Sequence, residues 1–333
     1  MTKTRLLRIA ALSGASLFML AAPAVAQTGV AGKASQAGTH FVTLGTTAGP
    51  LPRKDRAQAS NLLIVNGTTY LIDAGDGVAR RIVQAGANFR TIGTIFITHN
   101  HSDHTAGLAT LLDVQWEYSK REPTNVYGPP GTDRVVKAAL DYFAVNAEIR
   151  STEGKTNPLS KMAVGHDVGV GQIFADANIK VTAVENTHFN IPDNSPYHGK
   201  HKSYSYRFQT PDKVIVFTGD TGPSEAVTEL AKNADVLVSE VLSAEEIKQR
   251  RIKAGDWQKL SVAEQTAFMK HLTDEHVTPT EVGKMATKAG VKMVVLTHLA
   301  FSGKDNDDYQ RYVDEVGRVY KGKVVVAKDL MRF

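Results

Sequence analysis

Residues 98–104 read Thr-His-Asn-His-Ser-Asp-His, a short stretch dense in side chains that can bind metal ions. Its three imidazoles and one carboxylate fall within six consecutive positions, and both side-chain types bind zinc-like divalent cations. The apolar run at residues 94–98 is typical of a buried strand. The cluster therefore lies where a strand ends and a loop begins, a place where layered α/β folds often carry their functional groups.

The spacing inside the cluster predicts how its side chains divide between cations. His99 and His101 are two positions apart and project to the same side of an extended backbone, so they suit one cation. Asp103 and His104 are adjacent and diverge, so they suit a second cation more easily. A polar loop with incidental histidines is the alternative interpretation. Four ligand-type residues directly after a strand favour the metal site.

Composition limits the classes of protein to which the chain can belong. With 333 residues, of which 42% are hydrophobic and 22% charged, it can bury a large core. It has no cysteine, so any metal site must use nitrogen and oxygen ligands. Without the three basic residues at positions 1–26, the net charge of +5 falls to +2. That small charge gives no argument for a nucleic-acid or membrane-surface partner.

The first 26 residues have the pattern of a cleaved secretory signal. Three basic residues at positions 3–8 precede an apolar stretch, and residues 24–26 read Ala-Val-Ala, a small-residue cleavage pattern. A membrane anchor is the competing interpretation, but the stretch is short and is interrupted by serine and glycine. We therefore expect a periplasmic or secreted protein with no stable membrane insertion after cleavage. Residues 27–38 are rich in Gly, Ala, Ser and Gln and are predicted to be a flexible lead-in.

Strand and helix signals alternate over the rest of the chain and predict an α/β fold with mixed sheets. Predicted strands at residues 60–65 and 69–73 flank Asn66-Gly67, a dipeptide that favours a tight hairpin turn. A helix is predicted at residues 278–289 with Thr278 as its cap. Further strands are predicted at residues 40–44, 94–98, 125–127, 179–184, 203–209, 213–218, 236–240, 292–297 and 324–326, and further helices at residues 78–85, 105–112, 132–143 and 225–232.

Three more ligand-type residues, His188, Asp220 and His298, each follow an apolar predicted strand. With the first cluster they make seven candidate ligands on four strand ends. A carboxylate such as Asp220 can bridge two cations and balance their charge. Taken singly, each residue has a plain alternative as a core histidine, a capping histidine or a turn residue. Their shared position at strand ends favours one common site.

These motifs give the chain a resemblance to the metallo-β-lactamase superfamily of metallohydrolases, whose H-x-H-x-D-H signature is matched by residues 99–104. Within that superfamily the chain is most similar to the ribonuclease Z-like branch, which includes exported arylsulfatase-like members. Four further motifs carry the resemblance, which extends over about residues 39–333. They are a glycine-rich loop with a downstream arginine at residues 45–56, I-D-x-G-x-G at residues 72–77, T-G-D-T at residues 218–221 and H-x-T at residues 276–278.

The resemblance implies a four-layer αβ/βα sandwich with two mixed β-sheets, one hydrolase domain over residues 39–333, and two divalent metal ions. Zinc is the expected metal, although the same ligands accept manganese or iron. By resemblance, one ion is held by His99, His101 and His188, the other by Asp103, His104 and His298, and Asp220 bridges them. Asp103 and His276 are the candidate catalytic residues, with His276 stabilising the reaction centre or protonating the leaving group. Asp73 is expected to orient a ligand imidazole.

The expected activity is hydrolysis of phosphodiesters or sulfate esters by a binuclear metal site with a metal-bridging hydroxide. Ribonuclease Z enzymes carry a long Gly- and Pro-rich arm that grips tRNA, whereas residues 148–170 are short and lack such an extension. We therefore expect a small anionic ester as substrate and do not expect nucleic acid. The resemblance is compatible with a homodimer, an assembly common in that branch.

Two other functions remain open at the level of the sequence. One is a lactone or β-lactam hydrolase, which the ligand set does not exclude. The other is a catalytically inactive binding protein of the same fold, which the complete ligand set disfavours. The loop that contains His198, His201 and Lys202 is interpreted as a solvated loop, with pocket lining as the alternative.

Overall fold

Two seven-stranded β-sheets lie face to face in the computed structural model, which describes residues 38–300 and 309–333. The predicted signal at residues 1–26, and residues 27–37 of the predicted lead-in, lie outside the described residues. Within the two described ranges, no helix combines the length and the hydropathy that crossing a bilayer requires.

The first sheet is mixed. Its strands are Thr39–Gly45 (β1), Ser60–Val65 (β2), Thr68–Ile72 (β3), Thr94–Phe96 (β4), Thr124–Gly128 (β5), Ala163–Asp167 (β6) and Met331–Arg332 (β14). They are arranged in the order β14-β1-β2-β3-β4-β5-β6. Neighbours from β14 to β3 are antiparallel, and neighbours from β3 to β6 are parallel. The parallel part brings the carboxyl ends of its strands to one edge.

The second sheet has the same mixed character. Its strands are Gly171–Ala175 (β7), Lys180–Glu185 (β8), Tyr204–Gln209 (β9), Val214–Phe217 (β10), Val236–Val241 (β11), Met293–Leu299 (β12) and Lys323–Val326 (β13). They are arranged in the order β13-β12-β11-β10-β9-β8-β7. Strands β7 to β10 are antiparallel to their neighbours, and strands β10 to β13 are parallel.

Helices cover the outer face of each sheet. The described helices are Val78–Gln84 (α1), Ser102–Thr105 (α2), Leu108–Glu117 (α3), Thr132–Tyr142 (α4), Ala144–Thr152 (α5), Glu225–Leu230 (α6), Ala244–Lys253 (α7), Val262–Asp274 (α8), Pro279–Ala289 (α9) and Gln310–Val319 (α10). Helices α1, α3 and α4 share a core with the first sheet, and α6, α9 and α10 share a core with the second. A third core lies between the sheets. The predicted four-layer αβ/βα sandwich is therefore confirmed.

Strand β2 shows how one apolar run serves two cores. All six of its residues are buried. Leu62 and Ile64 pack toward the helices, whereas Leu63 and Val65 pack toward the other sheet. A strand that is covered on both faces needs a continuous apolar run, which residues 62–65 provide. The predicted hairpin is also present, because Asn66 and Gly67 both have positive φ, 50° and 83°, as a tight primed turn requires.

Two predicted element boundaries beside the histidine cluster are wrong. Strand β4 ends at Phe96 and not at Thr98, because the Thr98 amide donates to the Asp73 carboxylate and leaves the sheet. The helix predicted at residues 105–112 is two helices, α2 and α3, separated near Gly107. A Cβ on Gly107 would lie 2.3 Å from the Gly75 carbonyl oxygen, so the chain bends there to pack backbone against backbone.

Candidate metal centre

All seven predicted ligands lie together at one end of the sandwich, although they come from both sheets. The structure arranges their ligand atoms in two groups, each with its atoms within 4.8 Å of one another. The first group is His99, His101 and His188, and the second is Asp103, His104, Asp220 and His298. The family resemblance implied the same two groups, except that it placed Asp220 between them.

The three imidazoles of the first group point their nitrogens at one another. His101 Nδ1 lies 3.1 Å from His99 Nε2 and 3.1 Å from His188 Nε2. Tetrahedral coordination at about 2.0–2.1 Å would place ligand nitrogens roughly 3.3 Å apart. Burial lowers the pKa of His188 to about 3, with Asp220 acting in the opposite direction, so this ring is in the neutral form that binds metal. His101 is exposed, so the group opens to solvent.

The second group combines carboxylates with imidazoles. His298 Nε2 lies 3.2 Å from Asp103 Oδ2 and 3.2 Å from Asp220 Oδ2. His104 Nε2 lies 3.4 Å from Asp220 Oδ1. All four residues are buried, and carboxylates that converge in a buried space need positive charge beside them.

Asp220 faces both groups. Its Oδ1 atom is directed at His104, while its Oδ2 atom lies 4.0 Å from His99 Nε2 and 3.9 Å from His188 Nε2. Its Oδ2 atom also lies 3.2 Å from His298 Nε2, so both oxygens contact the second group and Oδ2 faces the first group as well. A carboxylate placed between two ligand groups in this way has the geometry to join two cations. The sequence-based prediction that Asp220 bridges them is consistent with this placement.

The donor atoms that lack partners support the fit to divalent cations. Six buried side-chain atoms of the described residues make no hydrogen bond, and two of them, His104 Nε2 and Asp220 Oδ1, face each other in the second ligand group. An unsatisfied buried polar atom costs about 1–3 kcal/mol. Cations with nitrogen and oxygen ligands would satisfy both atoms at once, so this cluster could hold divalent metal ions.

His298 lies inside a strand and not beyond its end, which corrects the sequence analysis. It belongs to β12 at a point where Glu240 pairs with Thr297 but Val241 pairs with Leu299. This irregularity leaves His298 as the extra residue of a bulge, with φ of 49°. Bulges re-aim side chains beside functional sites, and a non-glycine residue at positive φ carries local strain. The bulge therefore turns the imidazole toward the site.

Asp73 makes the contact that the sequence predicted for it. Its Oδ2 atom accepts from His104 Nδ1 at 2.9 Å, and its Oδ1 atom accepts from the Thr98 amide at 2.8 Å. The first contact fixes the tautomer of His104 and leaves Nε2 free to face the ligand group. The second ties the end of β3 to the segment that leads into the histidines.

The Asp73→Asn variant is expected to bind its second metal ion roughly 10–100-fold more weakly, because an amide cannot accept the His104 proton and still satisfy the Thr98 amide. Competition with a chelator, read as metal content against chelator concentration, measures this affinity. Asp141→Asn on the surface of α4 is the control. Unchanged affinity for both ions in Asp73→Asn would remove Asp73 from the support of the site.

His276 and Glu240 form a buried pair beside the ligands. His276 Nδ1 donates to Glu240 Oε2 at 2.8 Å, and Glu240 Oε1 accepts from the Thr221 amide at 2.6 Å. Burial lowers the pKa of His276, but the Glu240 carboxylate raises it more, to about 9. A ring nitrogen of His276 lies within 4.8 Å of ligand atoms of His188 and Asp220, so the imidazolium faces the site.

His276 was expected from its motif, whereas Glu240 was not predicted from the sequence. Glu240 lies near the carboxyl end of β11, two residues beyond the apolar run at residues 236–238, so a search for ligand-type residues near strand ends could have found it. His276 is held in place by the start of α9. There Thr278 and Glu281 form a capping box, which confirms the prediction that Thr278 caps this helix.

Gly49 supports Asp103 from the backbone and was also missed. Its amide donates to Asp103 Oδ2 at 2.8 Å. A Cβ at this position would lie 2.2 Å from Asp103 Cγ, so only glycine allows the carboxylate to sit where it does.

Gly49→Ala is therefore expected to displace Asp103, to weaken the second metal ion and to lower kcat/KM by roughly 10–100-fold while the fold stays intact. Gly93→Ala is the matched control, because nothing lies within 4 Å of a Cβ added there. Circular dichroism checks the fold, and metal analysis with kinetics checks the site. Wild-type turnover in Gly49→Ala would show that Asp103 tolerates displacement.

A double-sheet sandwich that carries this set of ligands at its rim defines a class of metallohydrolases. A family model described as "Beta-lactamase superfamily domain" matches residues 68–299, so the chain belongs to the metallo-β-lactamase superfamily, as its motifs predicted. The chain is also similar to proteins named ribonuclease Z.

The curated relatives include two archaeal proteins named ribonuclease Z. The protein of Methanosarcina mazei is 26% identical over 318 residues, with 88% of this chain and 96% of the relative covered. The protein of Archaeoglobus fulgidus is 27% identical over 316 residues, with 87% and 96% covered.

Solved structures show the same fold. The metallo-beta-lactamase fold protein YhfI from Bacillus subtilis has a TM-score of 0.63 at 18% identity, with 89% of this chain and 98% of that chain covered. The short form of human tRNase Z has a TM-score of 0.59 at 21% identity, with 88% and 98% covered.

Proposed function

We propose that the protein is a binuclear metal-dependent phosphodiesterase that acts on small anionic esters. The observation that carries the proposal is Asp220, whose carboxylate lies between two separate ligand groups at one rim. One cation would be held by His99, His101 and His188, and the other by Asp103, His104 and His298. When bound, such a pair lowers the pKa of a water molecule toward neutrality and stabilises charge on the attacked centre.

The protein supplies the remaining groups of the reaction. Burial raises the pKa of Asp103, but His104 and His298 lower it to well below its usual range, so this carboxylate stays an anion that can hold a cation and orient the attacking water by accepting a hydrogen bond from it. His276 carries a proton that it can donate to the leaving oxygen. Glu240 orients His276 and stabilises its charge. Zinc is the proposed metal, because imidazole and carboxylate ligands suit it.

The relatives named ribonuclease Z support phosphodiester chemistry and run against the prediction that nucleic acid is not a substrate. RNA is therefore the second candidate substrate. Three observations favour a small ester over it: the short segment at residues 148–170, the small net charge after residue 26, and the secretory pattern at residues 1–26. The chemistry of the relatives carries over in this proposal, while their polymeric substrate does not.

A substrate panel on the metal-loaded protein tests the proposal. It compares bis(4-nitrophenyl) phosphate, 4-nitrophenyl phosphate, 4-nitrophenyl sulfate, an aryl lactone, a chromogenic β-lactam and a precursor tRNA. We expect the diaryl phosphate to give the highest kcat/KM. A leading lactone or β-lactam would contradict the proposal, a leading sulfate would replace it with an arylsulfatase, and a leading tRNA would establish the second candidate.

We also propose that the protein is exported, on the basis of the pattern at residues 1–26. Mass spectrometry of the protein from fractionated host cells tests this point. We expect a mature chain that begins at Gln27 in the periplasmic or secreted fraction. Finding only the chain that begins at Met1, in the cytosol, would contradict it.

A further inference from the structure

A cavity of about 400 Å³ opens beside the metal centre and shares His101 with it. Its volume falls within the roughly 300–1,000 Å³ of pockets that bind small ligands. The segments that line it come from three separate parts of the chain: the histidine loop, the start of α4, and the loop between β8 and β9. It is therefore placed to hold the part of a substrate that does not react.

One wall of the cavity is apolar and continues to the metal ligands. Phe189, Val135 and Ile191 form this wall, and all three are half-buried. The Phe189 ring centroid lies 5.1 Å from that of His101 and 5.2 Å from that of His188. An aromatic group in the cavity could pack against Phe189 while an attached phosphoryl group reaches the ligands.

The rim of the cavity carries an uncompensated positive charge. Arg134 is exposed on α4 and makes no hydrogen bond or ion pair within residues 38–300 and 309–333. By contrast, the Lys202 ammonium on the opposite side is paired with Glu185 at 2.7 Å. None of the described lining residues is a carboxylate.

The nearest carboxylates of α4 and β6 are already engaged. Asp133, the neighbour of Arg134 in the chain, pairs with Lys137 at 2.7 Å. Asp167 accepts from the amides of Gly131 and Asp133 at 3.0 Å and 2.9 Å. The guanidinium of Arg134 is thus left to bind an anion that arrives with the ligand.

We propose that this cavity selects esters whose non-reacting group is aromatic and carries its own anion, with the ring against Phe189 and the anion on Arg134. A guanidinium binds carboxylate or phosphate through two parallel hydrogen bonds, which gives direction as well as affinity. The inference rests on the proposed function, because the metal centre holds the phosphoryl end of the same molecule. Arg134 and Phe189 are then the residues that determine which esters bind.

Calorimetric titration of the metal-loaded protein with two non-hydrolysable probes tests the proposal without turnover. The probes are phenylphosphonate and 4-carboxyphenylphosphonate, which differ only in the distal anion. We expect the carboxylated probe to bind roughly tenfold more tightly to the wild type, as one charge-assisted contact at a partly exposed site allows. Arg134→Gln should reduce this ratio to about one. Lys284→Gln, at an exposed position of α9 that does not line the cavity, is the matched control and should keep the ratio.

Equal binding of the two probes by the wild type, or a ratio that persists in Arg134→Gln, would overturn the proposal.

The contribution of the apolar wall is tested separately. Wild type should prefer phenylphosphonate to methylphosphonate, and Ile191→Ser should reduce that preference; an unchanged preference would remove the wall from the site. A protein that shows both preferences but cleaves no phosphodiester would reject the proposed function and leave this inference standing.

Discussion

Asp220→Asn is expected to lower kcat/KM for an aryl phosphodiester by about three orders of magnitude, a loss of roughly 4 kcal/mol in transition-state stabilisation. The substitution keeps the shape of the side chain and removes the one negative charge that faces both ligand groups. Without that charge the two cations would repel each other across a buried space. We therefore expect the metal content to fall from two ions per chain to one or fewer.

Elemental analysis and steady-state kinetics on the same preparation measure the two effects together. Asp256→Asn is the matched control. Asp256 forms a solvent-exposed ion pair with Lys259, and neither residue belongs to the candidate site. The control should retain both metal ions and full turnover. An Asp220→Asn protein with two tightly bound ions and activity within tenfold of wild type would show that Asp220 does not bridge them.

His276→Ala is expected to lower kcat by roughly 10²–10⁴-fold while the metal content stays unchanged. The loss should depend on the leaving group. It should be large for a diester that releases an alkoxide, which needs a proton, and small for one that releases 4-nitrophenolate, which is stable as an anion. Parallel kinetics with methyl 4-nitrophenyl phosphate and a dialkyl phosphate would measure this difference.

Glu240→Gln should produce the same pattern with a smaller loss, because the amide still positions His276 but no longer stabilises its charge. His166→Gln is the control, since His166 bonds to Asn125 in the first sheet and lies outside every motif of the site. Equal losses for good and poor leaving groups in His276→Ala would exclude proton donation and leave His276 only a binding role.

The elements that could be predicted from sequence are those whose side chains bury a regular face. The strands predicted at residues 60–65 and 236–240 contain continuous apolar runs, at residues 62–65 and 236–238, because both faces of each strand are covered. Three of the elements that were not predicted, α5, α8 and β7, lack that signal. Helix α5 buries none of its side chains, α8 buries only Leu272, and β7 has no buried residue. Their positions depend on tertiary contacts that leave little periodicity in the sequence.

The candidate site likewise contains residues that the sequence predicts and residues that it does not. The seven ligands and Asp73 could be predicted because imidazoles and carboxylates at strand ends carry a chemical signature in the sequence. Gly49 acts through a backbone amide and through the absence of a Cβ, and neither property marks a residue as functional in a sequence. The bulge that turns His298 inward is likewise a property of strand register. The cavity beside His101 needs three distant segments to meet, which only the folded chain shows.

The most direct test of the account is a crystal structure of the metal-loaded protein with anomalous scattering recorded at the absorption edge of the bound metal. Two anomalous peaks are predicted, one among His99, His101 and His188 and one among Asp103, His104 and His298, with Asp220 in contact with both ions. A single peak that Asp220 does not contact, or no peak at all in protein that is active, would contradict the account.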